Sequence, residues 1–440
     1  MAVSLMLVLS VLGAARARPE MRTPGAAVAT RAPVPKPAFS FAPLGGQGMG
    51  AACACTTPTG SRGEALTLTR ASSGFCNKNG LGTTGISNGD LVQCSTDQPR
   101  VQPGVPSGPL GLLVEAGVTN TAIRSQELDN LTPWANYADA NNATRTANYG
   151  VAPDGTATAE RIEYPARTGT SYTSLLHSAA CTTGGARTFS IYARAVSGTP
   201  VINLCMSDGA AWQRAACTAT TTGWTRCSLT VTVGGGGGAV QLSVTGATAT
   251  GCTSGANMAA ADVLLWGGQC EAGSYATSYI PTAGGSAARA GDNTSIATTT
   301  ASVPGGVGVS IAPEWTGTGP TASTSYAVDI RDPTYTNGLM VYQSAGGIIC
   351  QNYNGANPVT ASASASAHTR YWCWADTSGN TKVGGRLNST ALTVTDNVGG
   401  ATVTSGILRP GAAGGSPGSA GDHDAVLFNI CADPNIYRCQ

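Results

Sequence analysis

The stretch Trp266–Asp292, WGGQCEAGSYATSYIPTAGGSAARAGD, decides how the chain is read. Just ahead of it, Val263, Leu264 and Leu265 run into Trp266 as a short apolar segment, the mark of a buried strand. Toward its end, Gly284, Gly285, Ser286 and two alanines read as a linker. Between these, Tyr275, Tyr279, Ile280 and Pro281 are placed to fold back over the strand as an apolar clasp. The stretch therefore closes one β-sandwich and leads into a second.

Strand signals continue on both sides. Upstream they fall at Ala159–Tyr164, Thr188–Ala195, Val201–Met206, Arg226–Val233, Val240–Val244 and Asp262–Trp266, separated by Gly, Asn or Asp. Alternation in Phe189–Arg194 puts Phe189, Ile191 and Ala193 on one face, toward a core. Downstream they fall at Val307–Ala312, Ser325–Ile330, Leu339–Gln343, Ile348–Tyr353, Thr369–Ala375, Lys382–Leu387 and Ala425–Ile430. Repeated short strands with turns between them predict an all-β fold of tandem β-sandwich (jelly-roll) domains. The expected order is a signal peptide (1–17), a disordered Pro/Ala/Gly-rich tether (18–60), a strand-rich segment (61–124), a first sandwich (125–285) and a second (286–440). The signal peptide rests on the apolar run Leu5–Leu12 and on Ala15-Arg16-Ala17, although no Lys or Arg precedes the run.

Composition narrows the function. Only 11% of the 440 residues are charged, against about one quarter in an ordinary domain, and 59 are Gly. Such a chain suits short strands better than long helices. A net charge of +1 gives no electrostatic case for nucleic acid or an anionic membrane. No apolar run approaches the ~18 residues that span a bilayer, so no membrane insertion is expected. The 14 cysteines, with no CxxC pair and with His177, His368 and His423 far apart, point to disulfides rather than to zinc. Local pairing would give Cys76–Cys94, Cys205–Cys217, Cys350–Cys373 and Cys431–Cys439, although spacing alone leaves the connectivity open.

The deciding stretch also carries a pattern, W-G-x-Q-x-E-x-G-x-x-A-T-S-Y-I-P-T followed by R-A-x-D. Trp266, Gly267, Gln269, Glu271, Gly273, Ala276 to Thr282, Arg289, Ala290 and Asp292 fit it. A second series precedes it: Arg70, Ala71, Ser72, Pro99, Arg100, Gly111, Leu112, Leu113, Glu115, Thr119 and Asn120. Together these resemble a recurrent element of bacteriophage tail-fibre and head-fibre type proteins. There it closes a carbohydrate-binding-module-like jelly roll ahead of a concanavalin A-like (laminin G-like) sandwich. Cys270 stands where that pattern usually has an apolar residue. The likeness is good over about 65–292 and weak beyond. It implies a non-catalytic carbohydrate-binding, surface-recognition protein whose partner is a cell-surface glycan, located in a virion or secreted by a bacterial relative. A secreted glycan-active enzyme or accessory subunit, and a purely structural virion decoration, stay open as alternatives. So does a homo-oligomer.

Sugar recognition on a sandwich uses aromatic faces with amides or carboxylates beside them. Trp134, in Pro133-Trp134-Ala135-Asn136-Tyr137, and Trp212, just after Ser207-Asp208-Gly209, are the candidates, with Asn136, Asp208 and Gln213 as polar partners. Trp224 and Trp266 read as core. Trp372 and Trp374 share one strand face and read as core before sugar platform. Asp329, Asp332 and Asn337 could supply oxygens to a structural calcium, though a solvated loop is the simpler reading, and no cofactor is expected. Catalysis lacks a constellation. The E-x-D-x-x-E motif of related glucanases is missing, and Gly414–Gly418 matches G-x-S-x-G only in a Gly/Ala/Pro-rich loop.

Overall fold

In a computed structural model, side chains are described for Cys53, Cys55 and, with short gaps, residues 67–294. For Phe39–Phe41 and the strands beyond 294, the backbone is described. The expected signal peptide lies outside these residues, as do the side chains of Cys350, Cys373, Cys431, Cys439, Trp372, Trp374 and the calcium candidates.

Every regular element among the described residues is a strand. The first group is β1 (Phe39–Phe41), β2 (Thr67–Thr69), β3 (Gly74–Asn77), β4 (Leu91–Cys94), β5 (Arg100–Pro103), β6 (Leu110–Glu115) and β7 (Val118–Asn120). Then come β8 (Trp134–Ala138), β9 (Thr144–Gly150), β10 (Ala159–Tyr164), β11 (Thr173–His177), β12 (Gly185–Ala195), β13 (Val201–Ser207), β14 (Trp212–Thr218), β15 (Thr225–Val233), β16 (Val240–Thr245) and β17 (Ala261–Ala272). These ten form two antiparallel sheets, ordered β15-β12-β17-β10-β9 and β14-β13-β16-β11-β8.

The remainder is β18 (Ala287–Arg289), β19 (Asn293–Thr298), β20 (Gly308–Glu314), β21 (Ser325–Arg331), β22 (Gly338–Ser344), β23 (Gly347–Tyr353), β24 (Val359–Ser364), β25 (Tyr371–Ala375), β26 (Asn380–Leu387), β27 (Thr390–Ala391), β28 (Thr395–Val398), β29 (Gly406–Pro410) and β30 (Asp424–Asp433). A seven-stranded sheet runs β2-β19-β29-β21-β22-β23-β24, and another runs β1-β30-β6-β5 with β20 also on β30. Strands from before the first sandwich thus lie in sheets with strands from after it. Phe39–Phe41, within the stretch expected to be a disordered tether, pairs with Ile430–Ala432.

Alternation builds the first core. Phe189, Ile191 and Ala193 of β12 face Ile202, Leu204 and Met206 of β13 across the sandwich, with Val263 and Leu265 beside them, all fully buried. Each such side chain contributes roughly 1.5–3 kcal/mol. Two titratable groups share this interior. Burial among its neighbours holds His177, edge-on to Trp134, down to about pKa 4. Burial likewise raises Glu160 to about 7. Their pH signatures oppose each other. The His177 contribution is complete above ~6.5 and fades as pH falls toward 4. The Glu160 contribution is complete below ~4.5 and is lost as pH rises through 7. Glu160→Gln should therefore stabilise the chain by about 2–3 kcal/mol at pH 8 and by little at pH 4.5, read by urea unfolding at both values.

The deciding stretch clasps as expected, with one refinement. Tyr279 and Ile280 are buried, and the Tyr279 ring lies 4.4 Å from that of Trp266, while Pro281 is exposed and Tyr275 half-buried. Gly267, at φ 71°, sits where the β12–β17 register shifts. A Cβ there would stand 3.2 Å from both Tyr192 and Tyr279, so glycine lets the clasp close. Phe75, Ile86 and Trp224 complete this apolar layer, which covers the outer face of the β12–β17 sheet.

The two series that carry the resemblance converge beneath the clasp. Asp292 accepts from Arg70 at 2.8 Å, from Arg100, and from the Glu115 amide at 2.9 Å. Glu115 accepts from Arg100, from the Ser278 amide at 2.7 Å and from the Ser278 hydroxyl at 2.6 Å. Arg289 lies 3.5 Å from Glu115 and donates to the Ala116 carbonyl. All five charged residues are buried. Burial alone would pull the Arg100 guanidinium down, but Asp292 and Glu115 outweigh it and hold Arg100 above its usual value.

Five disulfides are formed among the described residues: Cys53–Cys76, Cys55–Cys94, Cys181–Cys270, Cys205–Cys252 and Cys217–Cys227. The expected Cys205–Cys217 bond is corrected by strand geometry. Cys217 pairs with Ile202 on the inner face, while Cys205 pairs with Arg214 on the outer. Cys76–Cys94 is corrected too, since each is taken by a cysteine of the Cys53-x-Cys55 pair. The departure at Cys270 is explained by its bond to Cys181. Such bonds are consistent with an extracellular protein, and no helix among the described residues is long and apolar enough to cross a membrane.

Candidate functional site

The two outer faces of the first sandwich differ in kind. One is covered by the clasp and by the 74–94 segment. The other belongs to the sheet β14-β13-β16-β11-β8 and mixes polar with apolar side chains; Asn203, Ser174, Gln241 and Ser243 on it are buried. Because Ile202, Leu204 and Met206 point into the core, Asn203 and Cys205 point out. In the same way Val240 and Leu242 send Gln241 and Ser243 outward. Register then sets two rows across the sheet. One reads Ala216, Asn203, Ser243, Ser174 and Tyr137, and the other Arg214, Cys205, Gln241, Leu176 and Ala135.

Two amides on this face lack partners. Neither the Nδ2 nor the Oδ1 of Asn203 is hydrogen-bonded, nor is the Oε1 of Gln241, although both residues are buried. An unmet buried polar group costs about 1–3 kcal/mol, so retaining three such atoms on adjacent strands is a feature to be accounted for. Cys252, in the connection between β16 and β17, is held on this face by its bond to Cys205. At one edge Trp212 pairs with Ser207 and is half-buried; at the other Tyr137 is 40% exposed.

The five residues singled out from the sequence separate into two sets. Asp208, Trp212 and Gln213 come together at the β13–β14 hairpin. Asp208 accepts from the amides of Ala210 and Ala211 at 2.7 Å and from the Gln213 side chain at 2.8 Å. The Ala211 amide, then Gln213 and the Ala210 amide, hold its carboxyl below the usual range. Trp134 is corrected: it is fully buried, packs edge-on against His177 at 4.9 Å and donates from Nε1 to the Arg124 carbonyl at 3.1 Å. No ring face is open for stacking. Asn136 pairs with Leu175 on the core side of β8 and accepts from Arg145 at 2.5 Å, so it too is placed away from the outer face. Trp224 and Trp266 are fully buried, as the sequence reading expected.

Asn203, Gln241 and Tyr137 were missed. The available signal was a polar residue at alternate positions inside apolar strands, in Val201-Ile202-Asn203-Leu204 and Val240-Gln241-Leu242. A cleft of about 400 Å³ also opens beside β7, lined by Thr119, Thr121, Arg187, Tyr275 and Thr277 among others. Two of its hydroxyls are engaged within the chain, Thr121 with the Ala180 carbonyl and Thr277 with Glu271.

No protein-family model matches the chain, and no curated protein does. Among solved structures, it is similar to the N-terminal CBM22-1–CBM22-2 tandem domain of Paenibacillus barcinonensis Xyn10C at 10% identity and TM-score 0.23, covering 73% of this chain and 97% of that one. It is similar to the LG1-3 region of the laminin alpha2 chain at 9% identity and TM-score 0.25, covering 63% and 67%. A third likeness is to domains LG4-5 of the mouse laminin alpha1 chain, at 10% identity and TM-score 0.21, covering 62% and 84%. At TM-scores of this size the likenesses establish neither fold nor ligand, and the fold rests on strand pairing.

Proposed function

We propose that the chain is a non-catalytic glycan-recognition protein whose outer β14-β13-β16-β11-β8 face takes a neutral oligosaccharide. The observation that carries this reading is the unpartnered amide of Asn203 beside the unpartnered side-chain carbonyl of Gln241. Asn offers both donor and acceptor, and the Gln carbonyl a further acceptor, which is the chemistry that sugar hydroxyls pair with. Trp212 supplies a ring at one edge and Tyr137 a ring at the other. A strand spacing of ~4.8 Å puts those edges roughly 19 Å apart, room for several sugar rings rather than one. Both amides are buried, so a bound sugar would have to displace whatever covers them. The resemblance of residues 65–292 to phage fibre proteins supports a setting at a cell surface, in a virion appendage or a secreted relative.

A glycan-array screen of the chain, with Trp212→Ala alongside, tests this. Selective binding that weakens about 5- to 30-fold in the variant is expected, since a stacked ring contributes roughly 1–2 kcal/mol. A folded chain that binds no glycan would remove the recognition role and leave a structural decoration.

A further inference from the structure

Four sulfurs gather beside the β3–β4 hairpin. Cys53 and Cys55 approach from one side, Cys76 of β3 and Cys94 of β4 from the other. Cys53, Cys76 and Cys94 are buried and, with Cys55 and Val92, make a small core of their own. The Sγ atoms of Cys55, Cys76 and Cys94 all lie within 4.8 Å of one another. Cys76 and Cys94 are not bonded to each other, yet their sulfurs stand 3.8 Å apart. That is the edge of a zinc–thiolate tetrahedron: a Zn–S distance of ~2.3 Å gives S···S of roughly 3.8 Å. Among the described residues no other group of three or more such ligands converges.

We propose that the reduced chain holds a zinc ion on Cys53, Cys55, Cys76 and Cys94, and that oxidation exchanges the ion for the two disulfides. Three of the sulfurs already converge, and Cys53, joined to Cys76, would complete the four-thiolate set of a structural zinc centre once that bond is reduced. With hydrogen peroxide as oxidant the step balances. The four sulfurs give up four electrons and form the Cys53–Cys76 and Cys55–Cys94 bonds, while Zn²⁺ leaves. Two peroxide molecules take the four electrons, together with four protons from solvent, and become four waters. Either state ties the Cys53-x-Cys55 segment to the hairpin that carries Phe75 onto the sandwich. The chain can then keep this part folded both in a reducing compartment, where zinc serves, and in an oxidising one, where disulfides do.

The test uses the full chain purified under reducing conditions without chelator, with zinc measured by atomic emission and free thiols by titration. About one zinc per chain is expected, released on peroxide addition together with the loss of four thiols at this knot. Cobalt substituted for zinc should give intense thiolate-to-metal absorption and tetrahedral d–d bands. Cys94→Ser should weaken retention about a hundredfold or more, and Cys217→Ser should leave it unchanged. A reduced, folded chain with no zinc overturns the proposal, as does equal retention in Cys94→Ser or a cobalt spectrum without thiolate bands. Should Cys94→Ser not fold, Cys55→Ser gives the same reading, and the wild-type cobalt spectrum decides independently.

Discussion

Asp292→Ala should cost the chain about 3–5 kcal/mol, the largest loss expected from any single substitution named here. Asp292 sits between Arg70 and Arg100, takes the Glu115 amide as well, and is fully shielded from water. Without it three buried guanidiniums face Glu115 alone, and an uncompensated buried charge is among the most costly defects a core can hold. The loss should be nearly the same at 0.1 and 1 M salt, because buried pairs are poorly screened. Glu127→Ala provides the contrast. Its partner Arg124 is 35% exposed and Glu127 itself 44% exposed, so that change should stay below about 1 kcal/mol. Urea unfolding of both variants reads the difference. An Asp292→Ala cost below about 1 kcal/mol would mean that the five-residue cluster does not tie the two stretches together.

Asn203→Leu should move stability and binding in opposite directions. Its amide has no partner within the chain and is fully buried. An apolar side chain of similar size removes an unmet donor and an unmet acceptor, so the ligand-free variant should gain about 1–3 kcal/mol. If the same amide meets sugar hydroxyls, the variant should bind the preferred glycan about 10- to 100-fold more weakly. Calorimetric melting and equilibrium titration check the two halves separately. A core position without a sugar role would show the gain in stability and no selective loss of binding. Loss of both together would mark Asn203 as a structural residue.

Much of the fold was legible because alternation reports burial directly. Ala159–Tyr164 coincides with β10, and the apolar runs at Val201 and Arg226 lie within β13 and β15. Of the four strands missed in the first sandwich, β11 (Thr173–His177) is interior and has no positional excuse, and the other three share a position. β8, β9 and β14 are sheet edges, and β9 is exposed along almost all its length, so no buried face imprints a period on it. The site was harder to see. Trp134 looked exposed because its neighbours are polar, but on a strand neighbours point to the opposite face. Asn203 and Gln241 looked like interruptions in apolar strands when they mark the strands' second face. The pairing of β2 with β19 and β6 with β30 was out of reach, since nothing local in a strand names a partner across the length of an inserted sandwich.

The most direct test of the glycan-binding face is to follow the side-chain amide NMR signals of Asn203 and the side-chain signals of Gln241 while the best array glycan is added, with assignments from Asn203→Leu and Gln241→Leu. The account predicts that both shift or broaden in step with binding, as their polar atoms gain partners. Saturating glycan that leaves both signals unmoved would contradict it and place recognition elsewhere on the chain.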